Sequence, residues 1–390
     1  MPLKTPFIFS LDLKTPAVDS ESALWSAPLP ASRHAFGGSP RGNDFDDRVT
    51  YGDYFCAARD FLAKNDLALV CSAAGRLIHR PVNVDDITRI GVFLVKHGAF
   101  YHPSYIKVEA CGRTCSLVLN VAVSSSGQEV IRAEFENLKR LNQELNSDYW
   151  PQVFGNGWGR TQAGRNLPMF LGQWLEGFHE FHLAAIADSD HSQTVVWNAG
   201  QGNPELTRGQ VQDLMGQAAR ILGYAYNPIT FEAIQSWHHA AGDFVVRQDE
   251  TGIEVRLITV RKYAPLIAAP QPDVSELLET LLVYLVDISL RLRVDRLEGT
   301  RQMACHPVQI VASVCRGFLQ GLQSAVALRG LPDDFTLTVK RFFALHGPHE
   351  LMPIVDAAAK RIAHQNGERR LFESAMEAHA AELADALAAM

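Results

Sequence analysis

Two runs decide the fold: Ser236-Trp-His-His-Ala-Ala-Gly-Asp-Phe-Val-Val246, and Ile253-Glu-Val-Arg-Leu-Ile-Thr259 a short way on. The first sets His238, His239 and Asp243 on a loop that enters the apolar strand Phe244-Val-Val246. The polar turn Arg247-Gln-Asp-Glu-Thr-Gly252 separates it from the second run, and Gly252 suits a tight reversal. β-Branched residues on both sides of a glycine-ended turn predict a hairpin. A loop carrying imidazoles and a carboxylate therefore feeds directly into a two-stranded ribbon.

The chain around this ribbon has 390 residues, enough for two cores. Its net charge of -7 and pI near 6.1 give no reason to expect nucleic acid or an anionic membrane as partner. The six cysteines (Cys56, Cys71, Cys111, Cys115, Cys305 and Cys315) are scattered, the usage of reduced thiols in a cytoplasmic protein. Met1-Pro-Leu-Lys-Thr-Pro6 lacks the apolar stretch of a secretory signal. The run Leu277–Leu292 carries Glu279 and Asp287, so it predicts a buried helix and no membrane span.

Residues 1–85 predict an irregular arm or docking strand, then a helix from about Asp46 to Leu77 with Tyr54, Ala58, Phe61 and Leu62 at helical spacing. Strands follow at Ile87–Val95, Ser104–Glu109 and Ser116–Val123, then a helix from Glu129 to about Leu145 with Ile131, Phe135, Leu138 and Leu145 on one face. Pro151-Gln-Val-Phe-Gly155 and Pro168-Met-Phe-Leu171 predict two more strands around a Gly-rich hairpin. After Gly177 the pattern is mainly helical: Val211–Leu222, Leu277–Leu292, Val308–Leu328 and an Ala-rich C-terminal helix. Three parts result: 1–85, a small lobe at 86–172, and a helical large lobe at 173–390.

This order resembles the α+β, two-lobed protein-kinase-like fold, in particular its aminoglycoside-phosphotransferase and choline-kinase-like branches. The residues that carry the resemblance are Arg132-Ala-Glu-Phe-Glu-Asn-Leu-Lys-Arg-Leu141 with Pro151-Gln-Val-Phe-Gly155, the hinge-like Gln173-Trp-Leu-Glu-Gly177, and the loop with its hairpin. It spans about three quarters of the chain. It implies ATP and Mg or Mn as cofactors, a small antiparallel-sheet lobe for the nucleotide, and a small-molecule acceptor. In such proteins a strand lysine, held by a helix glutamate, positions the phosphates, and carboxylates hold the metal.

Carried onto this chain, the lysine place falls on Asn120, its partner on Glu134 or, one register away, Glu136. The Gly-rich phosphate loop is missing; Lys96, beside Gly98, is left to substitute, and the hinge brings Glu176 to the nucleotide. In the loop the metal-binding position falls on Asp243 and the catalytic position on His238 or His239. Aligning Gly242-Asp-Phe244 instead makes Asp243 the catalytic base. The second metal carboxylate is replaced by Thr259. Hard Mg²⁺ prefers oxygen ligands, so one carboxylate is a thin donor set.

Plainer roles compete at each position. The histidines can hydrogen-bond backbone in a turn, Asp243 can form an Asx turn, and Glu134 can be a solvated helix residue. Arg291, Arg293, Asp295, Arg296 and Glu298 read as an intrahelical charge ladder. Cys111 and Cys115 lack a second ligand pair for zinc, and His179 with His182 read as structural. Two functions stay open: a degenerate pseudokinase that binds a nucleotide or small molecule, or an active phosphotransferase acting on a small-molecule hydroxyl.

Overall fold

The first elements along the chain are β1 (Phe7–Ser10), α1 (Tyr51–Ile78), β2 (Ile87–Phe93), β3 (His102–Ala110), β4 (Arg113–Val121), α2 (Ser125–Leu145), β5 (Val153–Arg160) and β6 (Asn166–Gln173). The computed structural model describes all residues except 1–4, 31–48, 99, 187–191, 199, 201, 238–241, 251, 268–272, 298–301, 333 and 364–365. It divides into two compact units, Met1–Asn146 with Pro151–Glu176, and Ser147–Trp150 with Gly177–Met390.

The six strands of the first unit form one sheet in the order β1-β2-β3-β4-β6-β5. Every pairing from β2 to β6 is antiparallel, as the sequence predicts for residues 87–171; β1 adds in parallel, with Phe7 opposite Ile90. Side chains alternate between the faces of a strand. One face, with Ile90, Ile106, Leu117, Leu119 and Met169, packs against α1 in a single apolar core. On the other face Phe170 meets Phe135 of α2, ring centroids 5.9 Å apart. The arm covers α1 from outside, its Phe9 5.1 Å from Phe55. The described residues before β2, among them Val18, Val49 and the buried face of α1, thus share the first unit's core. Helix α2 starts at Ser125, ahead of the predicted Glu129, because Ser124 Oγ accepts from Gly127 N at 3.2 Å and caps it.

Strand β5 is the sheet edge, and α1 lies directly on it. Gly155, Gly157 and Gly159 share the face toward α1; a Cβ on Gly159 would sit 1.9 Å from the Ala57 carbonyl. The expected Gly-rich hairpin forms, β5 pairing with β6, and its glycines also make the floor on which a helix docks. Helix α1 also satisfies the edge backbone: Asp60 accepts from Arg160 N at 2.9 Å, and Lys64 Nζ donates to the Trp158 carbonyl. Covering an edge in this way blocks its pairing with another chain.

The second unit continues with β7 (Phe181–Ala185), β8 (Ser192–Val196), α3 (Arg208–Ala225), β9 (Glu232–Gln235), β10 (Phe244–Asp249), β11 (Gly252–Leu257), β12 (Lys262–Pro265), α4 (Val274–Arg293), β13 (Val294–Arg296), β14 (Met303–Cys305), α5 (Val311–Leu328), α6 (Asp334–Phe343), α7 (Pro348–Ile362) and α8 (Asn366–Ala388). Its strands pair as four ribbons: β10–β11 is the predicted hairpin, and the other three are more strand than the helical pattern after Gly177 predicts. They are short, and their alternation, such as buried Phe181 and Leu183 around half-buried His182, is too brief to stand out.

Helices α3 and α5 approach until their backbones touch. A Cβ on Gly317 would lie 1.9 Å from the Gly216 carbonyl, and one on Gly321 2.1 Å from that of Arg220. The contacts advance in the same direction along both helices, which therefore run parallel. Helix α4 is tied to α8 by a chain that runs from buried to partly exposed: Ser289 Oγ to His379 Nε2 at 2.9 Å, His379 Nδ1 to Arg293 at 3.2 Å, and Arg293 to Glu382 at 2.9 Å.

Candidate functional site

The β10–β11 ribbon pairs Phe244 with Leu257, so Asp243 and Ile258 sit just beyond its open end. There Ile258 N donates to the Asp243 carbonyl at 2.8 Å. Gly242, at φ +83°, makes the turn that sends Asp243 inward, and the aspartate is only 4% exposed. A buried carboxylate needs compensating donors. Asp243 Oδ1 receives two: Thr259 Oγ1 at 2.8 Å and Arg261 Nη2 at 2.7 Å. Arg261 also donates through Nη1 to the Ser236 carbonyl at 3.4 Å.

A second guanidinium joins from α4. Arg291 Nη1 donates to the Trp237 carbonyl at 2.6 Å and lies over the Trp237 ring, 5.6 Å from its centroid. Burial lowers the Arg291 pKa; the negative charges of Asp287 and, more weakly, Asp243 act against that. The expected charge ladder is not what forms here. Arg291 reaches the loop, Arg293 reaches Glu382 on α8, and Asp295 accepts from Leu183 N at 3.2 Å. The side chain of Arg296, and Glu298, lie outside the described residues, as do His238 and His239.

The site residues expected in the small lobe belong to the first unit, and so does Glu176 of the hinge. Asn120 lies opposite Phe170 and so shares the sheet face on which α2 packs. Glu134 on α2 is not solvated: it is 1% exposed and accepts from the Tyr101 hydroxyl at 2.8 Å. Glu136 is exposed, 3.9 Å from Lys139. Lys107 pairs with Glu109 at 3.5 Å. Lys96 opens the segment that leads to Tyr101, closed by Gly98 N donating to the Tyr101 carbonyl at 2.9 Å. Glu176 is exposed at the last residue of the unit. Beside Tyr101, the His97 and His102 Nδ1 atoms are 2.9 Å apart, and burial, then His97, pushes the His102 pKa down to about 4.

The donor set does not fit the metal that the resemblance implies. A hard dication needs several oxygen ligands free to turn toward it. Thr259 spends its hydroxyl on Asp243, and Arg261 places a permanent positive charge against the carboxylate. Among the described residues no group of three metal-capable side chains assembles. The pair His179 and His182 does not form on a helix: His179 exchanges backbone hydrogen bonds with Val246, and the His182 ring stacks on Trp197 at 4.1 Å. All six cysteines are free thiols.

Arg261 and Tyr101 are the site residues that sequence reasoning missed. Arg261 had a signal: it stands two residues after Thr259, where a metal carboxylate was expected.

No family model matches the chain, and no curated protein matches it. A solved structure of WaaP in complex with acyl carrier protein is similar at 11% identity and a TM-score of 0.30, covering 67% of this chain and 83% of that one. The architecture here is α+β, an antiparallel sheet followed by a mainly helical unit. Among the described residues no helix is long and apolar enough to cross a membrane.

Proposed function

We propose that this chain is a degenerate kinase-like protein, a binding or regulatory module in which the metal position has become a structural ion pair. One observation carries this: Arg261 and Thr259 both donate to Asp243 Oδ1, at 2.7 and 2.8 Å. Phosphoryl transfer depends on charge placed around the phosphates, most of it from metal ions. A metal at Asp243 would have to displace a partly buried guanidinium from a buried carboxylate. Breaking a buried ion pair costs about 3–5 kcal/mol, roughly two to four orders of magnitude in affinity. Asn120 in place of a lysine, and Glu134 engaged by Tyr101, support the same function.

The test is thermal melting with ATP, with and without Mg²⁺ or Mn²⁺. A ligand at 100 times its Kd adds about 2.7 kcal/mol of stability, a readily visible shift. The metal should add nothing to any shift produced by ATP. A metal-dependent shift that disappears in Asp243→Ala would overturn the proposal in favour of an active phosphotransferase acting on a small-molecule hydroxyl.

A further inference from the structure

The parallel contact of α3 and α5 leaves a trough on the outer side of the second unit, with a volume of about 460 Å³. That lies within the size range of small-molecule sites. Gly216 and Gly317, whose close approach brings the helices together, lie in its wall; Arg220 and Arg316 stand along it, one from each helix. Both arginines are exposed, and neither has a hydrogen-bond or carboxylate partner among the described residues. Most other arginines placed in the chain engage a carboxylate, a carbonyl or a ring. Ser313 and Gln320 add further donors. The one carboxylate in the lining, Asp213, accepts from Gln217 Nε2 at 3.0 Å.

We propose that this trough binds the phosphate group of a small, soluble phosphomonoester, gripped by Arg220 and Arg316. Guanidinium geometry matches phosphate oxygens, often two bonds at a time. The lining favours a soluble ligand over a lipid headgroup: Ile221 and Tyr149 are its largest apolar contributors, and none of the exposed large hydrophobic residues lies in it. The site is independent of Asp243 and of any nucleotide.

The test is calorimetric titration of the full chain with ribose 5-phosphate, with ribose as the uncharged control. Saturable binding of the phosphate ester, none of ribose, and a tenfold or greater loss in each of Arg220→Ala and Arg316→Ala are expected. Arg220→Lys and Arg316→Lys should recover part of the loss, since a point charge keeps the attraction and loses the fork. Both positions are exposed, so the variants should melt with the wild type, which separates lost binding from lost fold. Ester binding that persists undiminished in the double alanine variant overturns the proposal, and so does the absence of saturable binding. Arginine-dependent binding to phosphatidic acid vesicles without binding of the soluble ester would also overturn it, in favour of a lipid headgroup.

Discussion

Removing the Arg261 guanidinium takes the positive charge away from a carboxylate that is 4% exposed, and that is the most direct way to weigh the Asp243 pair. Arg261→Ala should lower unfolding stability by about 3 kcal/mol, because it removes the opposite charge from a buried carboxylate, and Asp243→Ala by less, because the guanidinium it leaves is only partly buried. The double variant should lose less than the two single losses added together, since neither partner is then left alone. Strict additivity in urea titrations would mean that the two groups do not interact. The metal proposal has its own residue-scale prediction: Thr259→Asp with Arg261→Ala restores a second carboxylate and removes the cation. Mg²⁺ binding should then become measurable by calorimetry where the wild type shows none, and a silent double variant would count against charge as the obstacle. Asp243 was legible in the sequence because a glycine–aspartate step before a β-branched run marks a turn into a strand. Arg261 was not, because its guanidinium reaches Asp243 only once the intervening hairpin has folded, 18 residues apart in sequence.

At the scale of elements, long amphipathic helices and the alternating strands of the sheet were readable, since each repeats its pattern over several turns or residues. What was not readable is how closely elements approach. The glycines of β5 have no periodic signal beyond their own spacing, and only the docked α1 gives them a purpose. Gly159→Ala should therefore destabilise the chain by about 1–3 kcal/mol or more, because the new methyl meets the Ala57 backbone, which cannot move aside as a side chain would. The same chemical change at Gly209, on α3 with nothing within 4 Å of a new Cβ, should be neutral or stabilise by up to about 1 kcal/mol. Denaturation midpoints for the two variants should move apart. If both fell together, backbone entropy rather than close approach would govern these positions. The β10–β11 ribbon was read correctly from its β-branched runs and glycine-ended turn; the other short ribbons of the second unit were missed because three to five residues give too few alternations to outweigh the helical runs around them.

Across the whole molecule, acid sensitivity follows from histidines that folding keeps neutral. Burial pushes His102 and His306 down to about 4 and His379 to about 3, with His97 and Arg293 adding to the effect at His102 and His379. An unfolded histidine takes up its proton near pH 6.5. Below that pH the unfolded chain gains protons that the folded chain does not. Stability is therefore full above about 6.5 and is lost as the pH falls toward about 4, levelling off once the folded form is protonated too. A depression of this size corresponds to about 3 kcal/mol for one fully buried histidine, and about 2 kcal/mol of it is already lost by pH 5. Against a total stability of about 5–15 kcal/mol, that is enough to decide the acid limit. His306 isolates the effect best, since it is buried, its Nδ1 lies 3.3 Å from Thr194 Oγ1, and burial alone lowers its pKa. His306→Gln keeps a polar group that can hydrogen-bond there but cannot titrate. Between pH 7 and pH 5 the wild type should lose about 2 kcal/mol more than this variant in urea titrations. If the two lose stability in parallel, His306 accepts its proton inside the folded unit, and the acid limit must come from other groups.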